Sequence, residues 1–144
     1  MPTRVSEAIW KGGLRDGKGR MRTRSGTCEG PYSYTSRFEE AFGANPEELI
    51  GAAHAGCFSM AFASELEKAG FTPNEIKTQA SVTLEKGSIV RVDLETEGST
   101  SDISEDRFLS IAEKAKKECP VSRALAGVEI RLKAKLVKHA EQVA

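Results

Sequence analysis

The sequence predicts an α+β domain, and three observations carry that reading. The first third alternates apolar and polar residues in short runs broken by Gly-rich turns. The middle holds one long, almost uncharged stretch that opens with a helix-start signal, and the last third alternates again around a second, amphipathic helix. The expected order is β-β-β-α-β-β-α-β, with antiparallel sheets packed on two main helices. The chain of 144 residues is of one-domain length, so residues 1–144 are read as a single domain. A domain of that size buries roughly two-thirds of its unfolded surface, enough for a real core.

Residues 5–11 read as a first strand closed by Gly12 and Gly13. Residues 15–19 (RDGKG) read as a turn, with Asp-Gly as the hairpin signal, and residues 20–24 as the returning strand. Residues 32–38, entered through Gly30-Pro31, complete the expected meander. Asn45-Pro46-Glu47-Glu48 is then a helix start: Asn45 caps, Pro46 suits the first helical position and Glu48 completes the box. The helix should run to about Ala69, with Gly70 as the left-handed residue beyond its end, followed by Phe71 and Pro73. Its apolar residues between 49 and 63 cover almost the whole circumference, so burial on all sides is expected. Residues 80–85 and 89–97 alternate around Lys86-Gly87-Ser88 as a second hairpin. Ser104 caps a helix with Phe108, Ile111, Ala112 and Ala115 on one stripe and lysines near its end. Cys119-Pro120 stops it, residues 121–126 suit one more helical turn, and residues 128–136 alternate as a last strand.

Composition excludes several function classes. Lys and Arg number 21 against 21 Asp and Glu, which leaves no broadly basic surface for nucleic acid and no acidic tail. The apolar run of residues 49–63 contains His54 and Ser59 and is shorter than the roughly 20 residues a spanning helix needs, so no membrane role is expected. The N-terminus, MPTRVSEAIWKGG, lacks the apolar segment of a secretory signal. Three Cys, an odd count, do not build a disulfide framework and point to a reducing compartment, the cytoplasm.

Cys57, in HAGCFS on the central helix, is the residue to single out. A buried thiol is often only a small hydrophobe. As a nucleophile it would have to be thiolate, which needs a nearby cation or a helix N-terminus. Cys57 lies well inside its helix, so the cation must come from elsewhere. Arg37 in SRFEE is a candidate, with Glu47 in the first helical turn as its partner. His54 stands three residues before Cys57 and can share its face. A Cys–His pair, a metal site of His54, Cys57 and Cys119, and a packed His54 are all compatible with that spacing. The second histidine, His139, is near the C-terminus, and Cys28 in SGTCEGP reads as a loop thiol.

Residues 44–61 (ANPEELIGAAHAGCFSMA) resemble the first-cysteine motif of the OsmC/Ohr family, the osmotically inducible and organic hydroperoxide resistance proteins. Cys119-Pro120-Val121-Ser122 with Ala124-Leu125 resembles its second-cysteine motif, and Trp10-Lys11-Gly12-Gly13 and Lys18-Gly19 its N-terminal hairpin. His54 and Cys-Pro-Val-Ser place the resemblance on the OsmC branch. The resemblance implies a thiol-dependent peroxidase of stress defence that reduces organic hydroperoxides and, more weakly, hydrogen peroxide. It implies an intertwined homodimer with the long helices buried centrally and active sites at the interface. Cys57 matches the peroxidatic cysteine, Cys119 the resolving one, Arg37 the arginine that holds the thiolate and Glu47 its carboxylate; Glu48 is a neighbour. The implied reductant is a dithiol, such as a lipoylated protein, and no metal, haem or flavin takes part. The alternative on the same scaffold is a non-enzymatic hydroperoxide sensor or small-ligand binder.

Overall fold

The computed structural model describes residues 1–137; His139 lies outside them. The chain forms two compact units, Met1–Leu49 and from Ile50 onward. In the first, β1 (Ser6–Lys11), β2 (Lys18–Thr23) and β3 (Glu29–Tyr32) pair as an antiparallel meander in the order β1-β2-β3. The first connection is a loop over residues 12–17 rather than a tight Asp-Gly turn, because Lys11 pairs with Lys18 and the amide of Gly17 donates to Gly13 O at 2.8 Å. Gly19 sits where the rings of Trp10 and Tyr32 converge; a Cβ there would lie 2.5 Å from Tyr32 and 2.6 Å from Trp10. Only glycine lets that ring pair close, with centroids 5.3 Å apart.

The expected third strand over residues 32–38 is corrected. Pairing stops at Tyr32, and Tyr34–Phe38 is a short helix, α1. Ser33 explains the switch: its hydroxyl accepts from the Ser36 amide while the Ser36 hydroxyl accepts from the Ser33 amide, a reciprocal capping box. Arg37 therefore projects from a helix, not from a strand end.

Helix α2 (Pro46–Lys68) starts as expected, with the Glu48 amide donating to Asn45 Oδ1 at 2.7 Å. It ends in a Schellman arrangement: Gly70 has φ +94°, its amide donates to Glu67 O, and the Phe71 amide donates to Leu66 O. At 23 residues α2 is longer than its apolar run, and by length and composition alone it matches a membrane span. Its packing reads otherwise. Phe58, Phe62 and Leu66 are fully buried against Val92, Leu94, Phe108, Ala112 and Ala115, so the helix carries the core of the second unit. Each of those large side chains contributes roughly 1.5–3 kcal/mol. Burial on all sides is not what this single chain shows: Ala52, Ala53, Gly56 and Met60 are exposed, Met60 at 77%.

The second sheet has the order β4-β5-β6, built from β4 (Pro73–Glu85), β5 (Ser88–Thr100) and β6 (Glu129–Leu136). Lys86 and Gly87, both at positive φ, make the tight turn between β4 and β5. The sheet is mixed rather than antiparallel, since β6 runs parallel to β5. The reason is the crossover: α3 (Glu105–Glu118) and α4 (Pro120–Ala124) carry the chain back to the starting end of β5. The Ser104 hydroxyl caps α3, accepting from the Arg107 amide. Phe108 meets Phe62 edge-on at 5.0 Å, and Glu65 receives Lys68 and Lys114, each at 3.1 Å, which ties α2 to α3.

Candidate active site

In the first unit the site residues are assembled by local bonds. The Ser36 hydroxyl donates to Ala44 O at 2.9 Å and Asn45 Nδ2 donates to Ser36 O at 3.3 Å, which folds the loop after α1 back onto it. That places Glu47, in the first turn of α2, against Arg37. Arg37 Nε and Nη2 donate to Glu47 Oε1 at 3.1 and 2.9 Å. The carboxylate is buried while the Arg37 side chain is 39% exposed, with its guanidinium over the Phe38 ring at 5.3 Å. Glu47 Oε2 is buried without a hydrogen-bond partner among the described residues. Glu48 serves through its backbone in the cap, and its side chain is exposed.

In the second unit α2 carries Cys57, and Cys119 sits at the joint between α3 and α4, ending one helix and preceding Pro120 at the start of the next. Cys57 packs against the core cluster that includes Cys119, and the Cys119 thiol and the Val121 amide are the neighbours that act on its sulfur. Cys119 is fully buried and Cys57 half-buried. Burial pushes the Cys57 thiol above its ordinary range, the Cys119 thiol adds to that, and the Val121 amide works against it. Cys28 is exposed in the loop between β2 and β3 and pairs with neither.

His54 does not pair with Cys57. Its Nε2 lies 2.7 Å from Ser122 Oγ, with both side chains buried, and its Nδ1 has no partner among the described residues. Burial lowers its pKa from the ordinary 6.5 and favours the neutral ring. Among the described residues no three His, Cys, Asp or Glu side chains gather as a metal cage, so His54, Cys57 and Cys119 are a dithiol beside a histidine–serine bond. Val121 and Ser122 enter the sequence analysis only as members of the second-cysteine motif, with no role at the site. The signal that could have found Ser122 is its spacing: it follows Cys119 by three residues as His54 precedes Cys57 by three.

Residues 38–133 match the family described as OsmC-like protein. Peroxiredoxin OsmC of Escherichia coli (strain K12) is 46% identical to this chain over 124 residues, 83% of this chain and 87% of that protein. The chain belongs to the OsmC family. Solved structures share its fold. An OsmC-like protein from Mycoplasma pneumoniae superposes with a TM-score of 0.74 at 14% identity, over 94% of this chain and 98% of that one. An organic hydroperoxide resistance protein OsmC from Legionella pneumophila gives 0.71 at 20% identity, with the same coverage. Glu47, Cys57 and Cys119 lie inside the matched OsmC segment, and Arg37 is one residue before it.

Proposed function

We propose that this OsmC-family chain is a thiol-dependent peroxidase that reduces organic hydroperoxides. One observation supports it above the others: a half-buried thiol, Cys57, is in contact with a fully buried second thiol, Cys119. That is the arrangement needed to oxidise one sulfur and close a disulfide with the other. The Cys57 thiolate attacks the distal peroxide oxygen, the alcohol leaves, and Cys57 becomes sulfenic acid. Cys119 condenses with it, and an external dithiol reduces the disulfide by exchange. A lipoylated protein is one carrier of such a dithiol, and the cytoplasm is the compartment that would keep the thiols reduced.

A thiol pushed up by its own burial is a weak nucleophile at neutral pH, so a cation is required. The Arg37 guanidinium, fixed by Glu47 and partly exposed, is the cation we assign to Cys57. We assign the open apolar face of α2 to a second copy of this chain. A stripe of Ala52, Ala53, Gly56 and Met60 admits a close partner backbone, and a homodimer with active sites at its interface covers it. The test is peroxide consumption with a dithiol reductant present. Turnover of cumene hydroperoxide well beyond one equivalent per subunit is expected, faster than with hydrogen peroxide. Consumption that stopped at one equivalent would refute the enzyme and leave a sensor.

A further inference from the structure

The mechanism above uses Cys57 and Cys119 but leaves His54 and Ser122 without a part. Both are buried, they come from the two cysteine-bearing segments, and they meet at 2.7 Å, a side-chain hydrogen bond between α2 and α4. We propose that His54 and Ser122 are positioning residues: their hydrogen bond clamps α4 onto α2 and thereby holds the Cys119 thiol and the Val121 amide against the Cys57 sulfur. The proposal rests on the dithiol reading of the site.

Helix α4 holds its own conformation only weakly. It has five residues, and Cys119 at its start makes no side-chain capping bond. A helix that short is not stable by itself. Val121 and Leu125 pack on the core, but apolar contacts are non-directional and leave the rotation of a short helix loosely set. A buried hydrogen bond is directional and is strengthened by its low-dielectric surroundings. Here it is made by the residue next to Val121, so it fixes the segment that carries both groups acting on Cys57.

The step served is balanced without an added reagent. The Cys119 sulfur attacks the Cys57 sulfenic sulfur, the S–O bond breaks as the S–S bond forms, and the hydroxyl leaves with the Cys119 proton as water. The competing event is a second peroxide oxidising Cys57 to sulfinic acid, which is not reversed by a dithiol. Loosening the clamp should slow closure and raise sulfinic acid formation. It should also deprive the Cys57 thiolate of its amide donor.

The experiment compares Ser122→Thr with Ser122→Val, which are isosteric and differ by the hydroxyl, and adds Ser122→Ala. Three readouts are taken on the full chain: disulfide closure after one equivalent of cumene hydroperoxide, the sulfinic fraction of Cys57 by mass under excess peroxide, and the pH profile of Cys57 alkylation. Removing the hydroxyl should slow closure about fivefold, the worth of one neutral hydrogen bond. The sulfinic fraction should rise and the alkylation profile should move to higher pH, with Ser122→Thr restoring all three relative to Ser122→Val. Equal closure and equal pH profiles for the Thr and Val variants would overturn the clamp. So would a Val variant that unfolds where Thr does not, since that makes the bond structural only. If the wild type formed no Cys57–Cys119 disulfide, the peroxidase reading would fail, yet the alkylation profiles would still decide the clamp.

Discussion

Met60 offers the sharpest quantitative test of how this chain is completed. It stands 77% exposed on α2, beside exposed Ala52, Ala53 and Gly56, although the opposite side of the same helix carries the core. Fully burying a Met side chain contributes roughly 1.5–3 kcal/mol, and the exposed share scales that to about 1.2–2.3 kcal/mol. A two-fold interface uses the same residue twice. Met60→Ala retains the Cβ and the helix propensity, so the loss on assembly should be about 2–4 kcal/mol per dimer. At 1.4 kcal/mol per tenfold, dimer dissociation should rise roughly thirty- to a thousand-fold. Sedimentation across nanomolar to micromolar protein reads that change directly. Urea unfolding of the dissociated chain should stay near the wild-type value, because Met60 touches little within the chain. Peroxidase activity should fall in step with the dimer fraction. A wild-type chain that is folded, active and monomeric at low micromolar concentration would refute the reasoning, as would an unchanged dissociation constant for Met60→Ala.

Three further expectations follow from the site. After one equivalent of cumene hydroperoxide, peptide mapping should find Cys57 bridged to Cys119 with Cys28 still alkylatable; a main bridge containing Cys28 would sink the assignment. Arg37→Ala should slow the second-order reaction with cumene hydroperoxide by about a hundred- to a thousand-fold, and Arg37→Lys should also lose much, since both bonds to Glu47 Oε1 use the planar fork. Glu47→Gln, which keeps an oxygen for Arg37 but not the charge, should lose less; a folded Arg37→Ala at the wild-type rate would exclude Arg37 and turn attention to exposed Arg123. His54 predicts a pH dependence of stability. Its folded pKa lies below the ordinary 6.5, so below that pH the unfolded chain binds more protons, and stability is full above 6.5 and declines as pH falls. The urea midpoint of the wild type should therefore drop further between about pH 7.5 and about pH 5 than that of His54→Gln, and equal drops would contradict a buried neutral ring.

Features whose causes lie within a few residues of one another were legible in the amino-acid order alone. Asn45-Pro46 starts α2, Gly70 with Phe71 ends it, Ser104 starts α3 and Lys86-Gly87 turns β4 into β5, each through a bond or a backbone angle that the local residues dictate. The cysteine motifs were legible as contiguous residues that resemble the family's, and the pairing of Arg37 with Glu47 was expected, although not that Arg37 sits on a helix. Residues 34–38 alternate well enough for a strand, and what decided for helix was the Ser33–Ser36 box together with the Ser36 bond to Ala44, eight residues away. The parallel pairing of β6 with β5 depended on where α3 and α4 return the chain, which strand alternation does not encode. Which side of an all-round apolar helix is covered was likewise a matter of packing: Phe58, Phe62 and Leu66 face the core, and Met60 does not. His54 and Ser122 are 68 positions apart, and Cys57 and Cys119 nearly as far. Contacts at that separation have no local energetic signature, because their partners are chosen only when the whole core closes around them.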